Sequence, residues 1–200
     1  MISQPLKLGF LASGNGSSAR AIMAAIDAGD LAAEPRLLVS NNRSAAALAF
    51  AAEAGVPALC IATQADPDAA DARLADEMTA HGVELIVLSG YLRQLGPRTL
   101  ARYAGKILNI HPGPLPAFGG HGMYGRRVHE AVIAAGVAES GICIHLVDEE
   151  YDRGPVISRR SVPVAAGDTA ETLEARVTAL EPAFYVETLR RIARGEIVLS

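Results

Sequence analysis

The sequence predicts an α/β protein: a mostly parallel sheet with helices on both faces and an antiparallel C-terminal strand pair. Three observations predict it. Over roughly the first 125 residues, short apolar runs alternate with helical stretches. Those runs are apolar throughout instead of alternating with polar residues, as expected of strands covered on both faces. Beyond residue 125 the rhythm changes to two strands separated by a hairpin-sized link, EEYDRG at 149–154, which favours antiparallel pairing.

Taken in order, LKLGFLA (6–12) reads as a buried strand, and residues 19–29 as the helix that follows it. RLLVS (36–40) is the second strand, followed by an Ala-rich helix at 44–54, a residue type that forms helices well. PALCI (57–61) is a third, short strand, and 68–81 a helix. VELIVLS (83–89) is strongly apolar and is the fourth strand; KILNI (106–110) is the fifth. A helix at roughly 126–135 precedes SGICIHLVD (140–148) and VISRRSVPV (156–164), the antiparallel pair. The segment 168–194 closes the chain as a helix capped by Asp168 or Thr169. There is no internal repeat, low-complexity tract or linker, so residues 1–200 are expected to form a single domain.

Composition narrows the function. Lys and Arg total 18 against 22 Asp and Glu, a formal charge of −4. No basic block stands out, so nucleic acid is not an expected partner. An anionic ligand needs a local site instead of a global field. The N-terminus MISQPLKLGFLAS lacks the features of a signal peptide. The longest apolar runs, near 44–52 and 83–92, are too short to span a bilayer. Cys60 and Cys143 are isolated, which predicts two buried thiols in a reducing compartment. A soluble, cytoplasmic protein is the expectation; the oligomeric state is not legible.

SGNGSS (13–18) joins the first strand to the first helix. Gly14 and Gly16 permit close backbone approach to a ligand. Ser17 and Ser18 bring hydroxyls to a helix N-terminus, where free N–H groups favour an anion. An N-cap turn that binds nothing is the competing reading. Gly14, Gly16 and Ala19 also fit a dinucleotide fingerprint, but the second strand ends SNNR (40–43) without the carboxylate that a ribose needs. A P-loop lysine is absent too. A single phosphate monoester fits better.

NIHPGPLPAFGGHGMYG (109–125) is the second unusual loop. Asn109 and His111 are two apart on an extended segment and share a face, and Pro112 holds His111 extended. A free imidazole titrates near pH 6.5, and an Asn amide can donate to a developing oxyanion. Asp152 sits in the turn EEYDRGP (149–155). Placed near His111, it would raise the imidazole pKa. For each residue alone, an ordinary structural role competes. His111, His121, His129 and His145 lack the paired spacing of a zinc site, so no metal is expected. His145 alternates with Ile144 and Leu146 and reads as a satisfied core histidine.

Together, LASGNGSS, LSGYLRQL (88–95), NIHPGPLPAF (109–118) and IHLVDEEYDRGPVI (144–157) resemble the folate-dependent formyltransferases, specifically the phosphoribosylglycinamide formyltransferase family, in the family's order and spacing. The resemblance implies a Rossmann-like formyltransferase fold. It implies formyl transfer from 10-formyltetrahydrofolate, as co-substrate and without metal, to the amine of glycinamide ribonucleotide in purine biosynthesis. Gly16, Ser17, Ser18, Ala19 and Arg20 match the segment that binds the ribonucleotide phosphate. Thr178, Ala179, Leu180 and Glu181 match a late segment on the same substrate, with Glu181 at the ribose hydroxyls. Leu92, Arg93, Gln94 and Leu95, with Asn109, match the folate contacts. Asn109, His111 and Asp152 match the catalytic trio, in which a protonated His111 steadies the oxyanion and protonates the leaving nitrogen.

The chain departs from that pattern in three places. HPGPLP replaces the common Ser-Leu-Leu-Pro form. The stretch 118–131 is longer and Gly-rich, which suits a mobile flap. A basic residue that often meets the folate aligns with Pro67. Three alternatives are weighed against the transferase. A 10-formyltetrahydrofolate hydrolase of the same fold would carry a further N-terminal domain and need no phosphate loop. A methionyl-tRNA formyltransferase would need a basic surface and a C-terminal domain. A non-catalytic nucleotide-binding module would leave Asn109, His111 and Asp152 unexplained.

Overall fold

The computed structural model describes residues 4–199. Its strands are β1 (Leu6–Leu11), β2 (Ala33–Ser40), β3 (Ala58–Cys60), β4 (Leu85–Leu88), β5 (Ile107–His111), β6 (Glu139–Leu146) and β7 (Val156–Pro163). Its helices are α1 (Ser17–Asp27), α2 (Ala46–Glu53), α3 (Pro67–Ala80), α4 (Pro97–Arg102), α5 (Arg126–Ala134) and α6 (Ala170–Ala193). The strands form one seven-stranded sheet in the order β3-β2-β1-β4-β5-β6-β7. Strands β1 to β5 are mutually parallel, and β6 runs antiparallel to β5 and β7. This is a Rossmann-like sheet with an antiparallel edge.

The continuous apolarity of the strands has a direct cause. In β4, Leu85 and Val87 face one cluster, with Ile22 of α1 and Val177 and Tyr185 of α6. Ile86 and Leu88 face the other, with Leu74 and Met78 of α3. Each such side chain contributes roughly 1.5–3 kcal/mol relative to exposure. Gly9 lets α3 approach β1: a Cβ there would stand 2.6 Å from Met78 Sδ.

Several elements differ from expectation. The helix α4 is absent from the sequence reading because it has only six residues and takes its cap from elsewhere. Asp71 on α3 accepts from the amides of Arg98 and Thr99, at 2.8 and 3.1 Å. Strand β2 starts three residues early, at Ala33, and includes Pro35. Proline is tolerated there because β3 pairs only with Leu38 to Ser40, so no neighbour needs its missing N–H. Cys143 is buried but Cys60 is only half-buried; both are free thiols. The cap of α6 is Thr169, in a capping box with Thr172, while Asp168 accepts from Ala165 N at 2.7 Å and pairs with Arg176. No helix among the described residues is long and apolar enough to cross a membrane.

Candidate active site

A cleft of about 1110 Å³ opens along the carboxyl ends of the parallel strands, where doubly wound sheets bind ligands. Ser13, just past β1, ties its floor together. Its N–H donates to Gly90 O at 3.1 Å, its hydroxyl to Asn41 Oδ1 at 2.5 Å, and Leu92 N donates back to that hydroxyl at 2.8 Å. The loops after β1, β2 and β4 are thus bonded to one another at the cleft.

Strand β5 delivers Asn109 and His111 to the cleft wall, and Tyr185 of α6 fixes the strand by donating to the Leu108 carbonyl at 2.9 Å. His111 is 3% exposed. Its Nε2–H donates to the Phe118 carbonyl at 2.7 Å, which leaves Nδ1 facing Asp152 Oδ2 at 3.5 Å. Asp152 takes a left-handed backbone, φ 56°, at the turn before Gly154. That glycine is required: a Cβ on it would lie 1.9 Å from the Leu146 carbonyl oxygen. Gly120 N donates to Asp152 Oδ2 at 3.0 Å. The three residues expected to act together therefore converge, and the 113–125 loop supplies main-chain partners to two of them.

His145 stands apart from expectation. It is buried and hydrogen-bonded, as a core histidine would be, but its ring also lines the cleft. Across the β5–β6 ladder it pairs with Asn109. Its Nδ1–H donates to the Leu146 carbonyl at 2.8 Å. Its Nε2 lies 3.1 Å from Asn109 Nδ2 and 3.4 Å from Asp152 Oδ1. His145 thereby lies between the amide, from which its Nε2 accepts, and the carboxylate.

The electrostatics of the pair follow from these contacts. Burial pushes the His111 imidazole below its ordinary value, outweighing Asp152 and the Phe118 carbonyl, which both act upward. Asp152 therefore acts in the expected direction, but the net shift is downward, against the expectation of a raised pKa. At Asp152 burial works upward, but the neighbouring His145 ring, the His111 ring and the Gly120 N–H together hold the carboxyl below its usual range. Near pH 7 the pair is a neutral imidazole beside a charged carboxylate.

The remaining expected residues divide. Leu92, Arg93, Gln94 and Leu95 all line the cleft, with Leu92 exposed. Gly16 is the left-handed N-cap of α1, φ 65°. Ser17 is exposed and Ser18 buried. The Ala19 amide is committed to Ser89 Oγ at 3.0 Å. Arg20 braces the loop: it donates to the carbonyls of Asn15 and Ala46 and lies 4.4 Å over the Phe50 ring. On α6, Thr178 and Glu181 line the cleft, together with Glu174 one turn earlier. Ala179 and Leu180 do not, because they fall on other faces of the helix. Burial pushes the Glu181 carboxyl up to about 7. Pro182, inside the helix, has no amide hydrogen to donate to the Thr178 carbonyl four residues earlier. Besides His145, the sequence reading did not single out Arg43 or Glu174 as site residues, though both line the cleft.

Residues 6–189 match the family model described as formyl transferase. The chain belongs to the formyl transferase family. Within it, the similarity is to phosphoribosylglycinamide formyltransferases. The Bacillus subtilis (strain 168) enzyme is 34% identical over 196 residues, covering 95% of this chain and 98% of that one. The chloroplastic enzyme of Vigna unguiculata is 39% identical over 96% of this chain, which spans 62% of that relative's length. Among solved structures, glycinamide ribonucleotide transformylase 1 from Symbiobacterium toebii superposes with a TM-score of 0.88 at 34% identity, covering 98% of this chain and 92% of that one.

Proposed function

We propose that this chain transfers the formyl group of 10-formyltetrahydrofolate to the amine of glycinamide ribonucleotide. The observation that carries the chemistry is the linked set Asn109–His145–Asp152–His111 in the wall of one cleft. The names of its relatives support the choice of substrates.

The nucleotide amine attacks the formyl carbon, and the carbonyl oxygen gains negative charge. Asn109 has two amide hydrogens; one is directed at His145, and the other donates to the oxyanion. His111 meets the reactants neutral, with its Nδ1 lone pair free. It takes the proton released by the amine as the new C–N bond forms. The resulting imidazolium is paired with Asp152 at 3.5 Å. It then returns the proton to the folate nitrogen as the old C–N bond breaks, giving the formamide and tetrahydrofolate. The imidazolium is thus an intermediate, not the resting form that the resemblance implied. Holding two substrates side by side supplies several kcal/mol of the barrier reduction, and each oxyanion contact adds about 3 kcal/mol.

The phosphate lies at the N-terminus of α1, beside Gly16 and Ser17. The ribose hydroxyls meet Glu181 and the Thr178 carbonyl. The folate lies against 92–95. The test is to mix the protein with 10-formyltetrahydrofolate, with and without glycinamide ribonucleotide, and follow tetrahydrofolate release. Ribonucleotide-dependent release is expected. Release that ignores the ribonucleotide would assign the hydrolase activity instead, and none at all would refute formyl transfer.

A further inference from the structure

We propose that the first turn of α5 is an anion-binding wall of the cleft, where Arg127 and His129 meet the charged end of a substrate. The inference rests on the formyl-transfer reading only for the identity of that substrate.

Helix α5 opens against its own dipole. Its cap, Gly125, offers no side-chain hydrogen bond, its first turn holds no acidic residue, and its first two positions are Arg126 and Arg127. Cations at the positive end of a helix are unfavourable, and such local conflicts cluster at functional sites. Arg126 is relieved by Glu174, 2.7 Å away. Arg127 has no carboxylate partner among the described residues; its guanidinium lies 5.1 Å over the Tyr124 ring, and it lines the cleft. Two positions further on, His129 is 1% exposed and also lines the cleft, and its Nδ1 is buried without a hydrogen-bond partner. Natural proteins seldom leave a buried polar atom unsatisfied, because its lost hydration is not recovered. An uncapped helix start, an unpaired guanidinium and an unsatisfied imidazole in one cleft wall are complementary to a phosphate or carboxylate. Both substrates carry that chemistry: the ribonucleotide has a phosphate, and the folate has glutamyl carboxylates.

Steady-state kinetics of Arg127→Ala separate the two sources. The KM of one substrate is expected to rise about tenfold, with kcat within about twofold. A rise for the folate assigns the carboxylates, and a rise for the ribonucleotide would move its phosphate from the α1 terminus to this wall. A second measurement does not depend on turnover. The His129 ring signal, identified by its loss in His129→Gln, is followed by NMR as inorganic phosphate or N-benzoylglutamate is added. One of these probes should move it in the wild-type chain and not in Arg127→Ala. Unchanged KM values together with a His129 signal that neither probe moves would overturn the proposal. A moved signal in a chain that transfers no formyl group would uphold the wall and reject the reaction.

Discussion

Asp152 and the Phe118 carbonyl both favour a charged His111, but burial keeps the ring neutral near pH 7. The proposed base is therefore competent above its depressed pKa, and turnover should fall as the pH drops through a value below 6.5. In Asp152→Asn the upward pull on His111 is gone, so its pKa moves further down. The acid limb of the pH–rate profile should shift to lower pH. Turnover on the plateau should drop on the order of 100-fold, because the imidazolium intermediate loses its counter-charge. A profile that keeps the wild-type acid limb would remove Asp152 from this role. The sequence exposes the identities of these groups but not the sign of the shift. Sign depends on how completely the sheet and the 113–125 loop enclose the ring, a non-local property.

At the level of elements, two connections carry the site and both are testable. The turn after β6 holds Asp152 only because Gly154 has no Cβ to strike the Leu146 carbonyl. Gly154→Ala should cost about 2 kcal/mol in urea unfolding. It should also lower kcat/KM by at least tenfold, since the displaced turn carries Asp152; full activity would show that the turn tolerates the shift. The α6 cap is remote from the chemistry. Thr169→Ala should remove about 1 kcal/mol of stability by loss of the hydrogen bond to Thr172 N, with kcat unchanged. Elements declared by local pattern were legible: the apolar runs of β1, β4 and β5, and the long amphipathic α6. Helix α4 was not, because its cap belongs to Asp71 on another helix. That His145, a buried and hydrogen-bonded histidine as expected, also faces the cleft was not legible, because only the β5–β6 register, which local sequence does not encode, sets it opposite Asn109.

Across the whole molecule, the cleft adds cost as well as function. Glu181 sits in its wall with a carboxyl pushed up to about 7 by burial. A carboxyl whose folded pKa exceeds its unfolded value stabilises the fold fully only below the unfolded pKa, near 4.5. That stability is lost as pH rises through about 7. The loss approaches about 3 kcal/mol when the group is fully ionised. Urea unfolding between about pH 5 and pH 8 should show wild-type stability falling relative to Glu181→Gln by an amount of this order. Parallel curves for the two proteins would mean that the carboxyl is better solvated than its position implies. The two loops that the sequence singles out, 13–18 after β1 and 109–125 after β5, both follow parallel strands, at the end of the sheet where ligands gather.

The contacts of His111 with Phe118 and of Asp152 with Gly120 both reach peptide groups, not side chains. Truncating the exposed side chains of 113–125 would therefore leave those two bonds in place, whereas a Cβ added at Gly119 would stand 2.9 Å from Asp152 Cβ. The contribution of the two bonds themselves becomes visible when the backbone is edited. An ester in place of the Gly120 amide, or one residue deleted from the span, would retune the acid–base pair while leaving all four linked side chains in the sequence. For anyone shifting the working pH of this scaffold, the length of that span is a better handle than the residues that perform the chemistry.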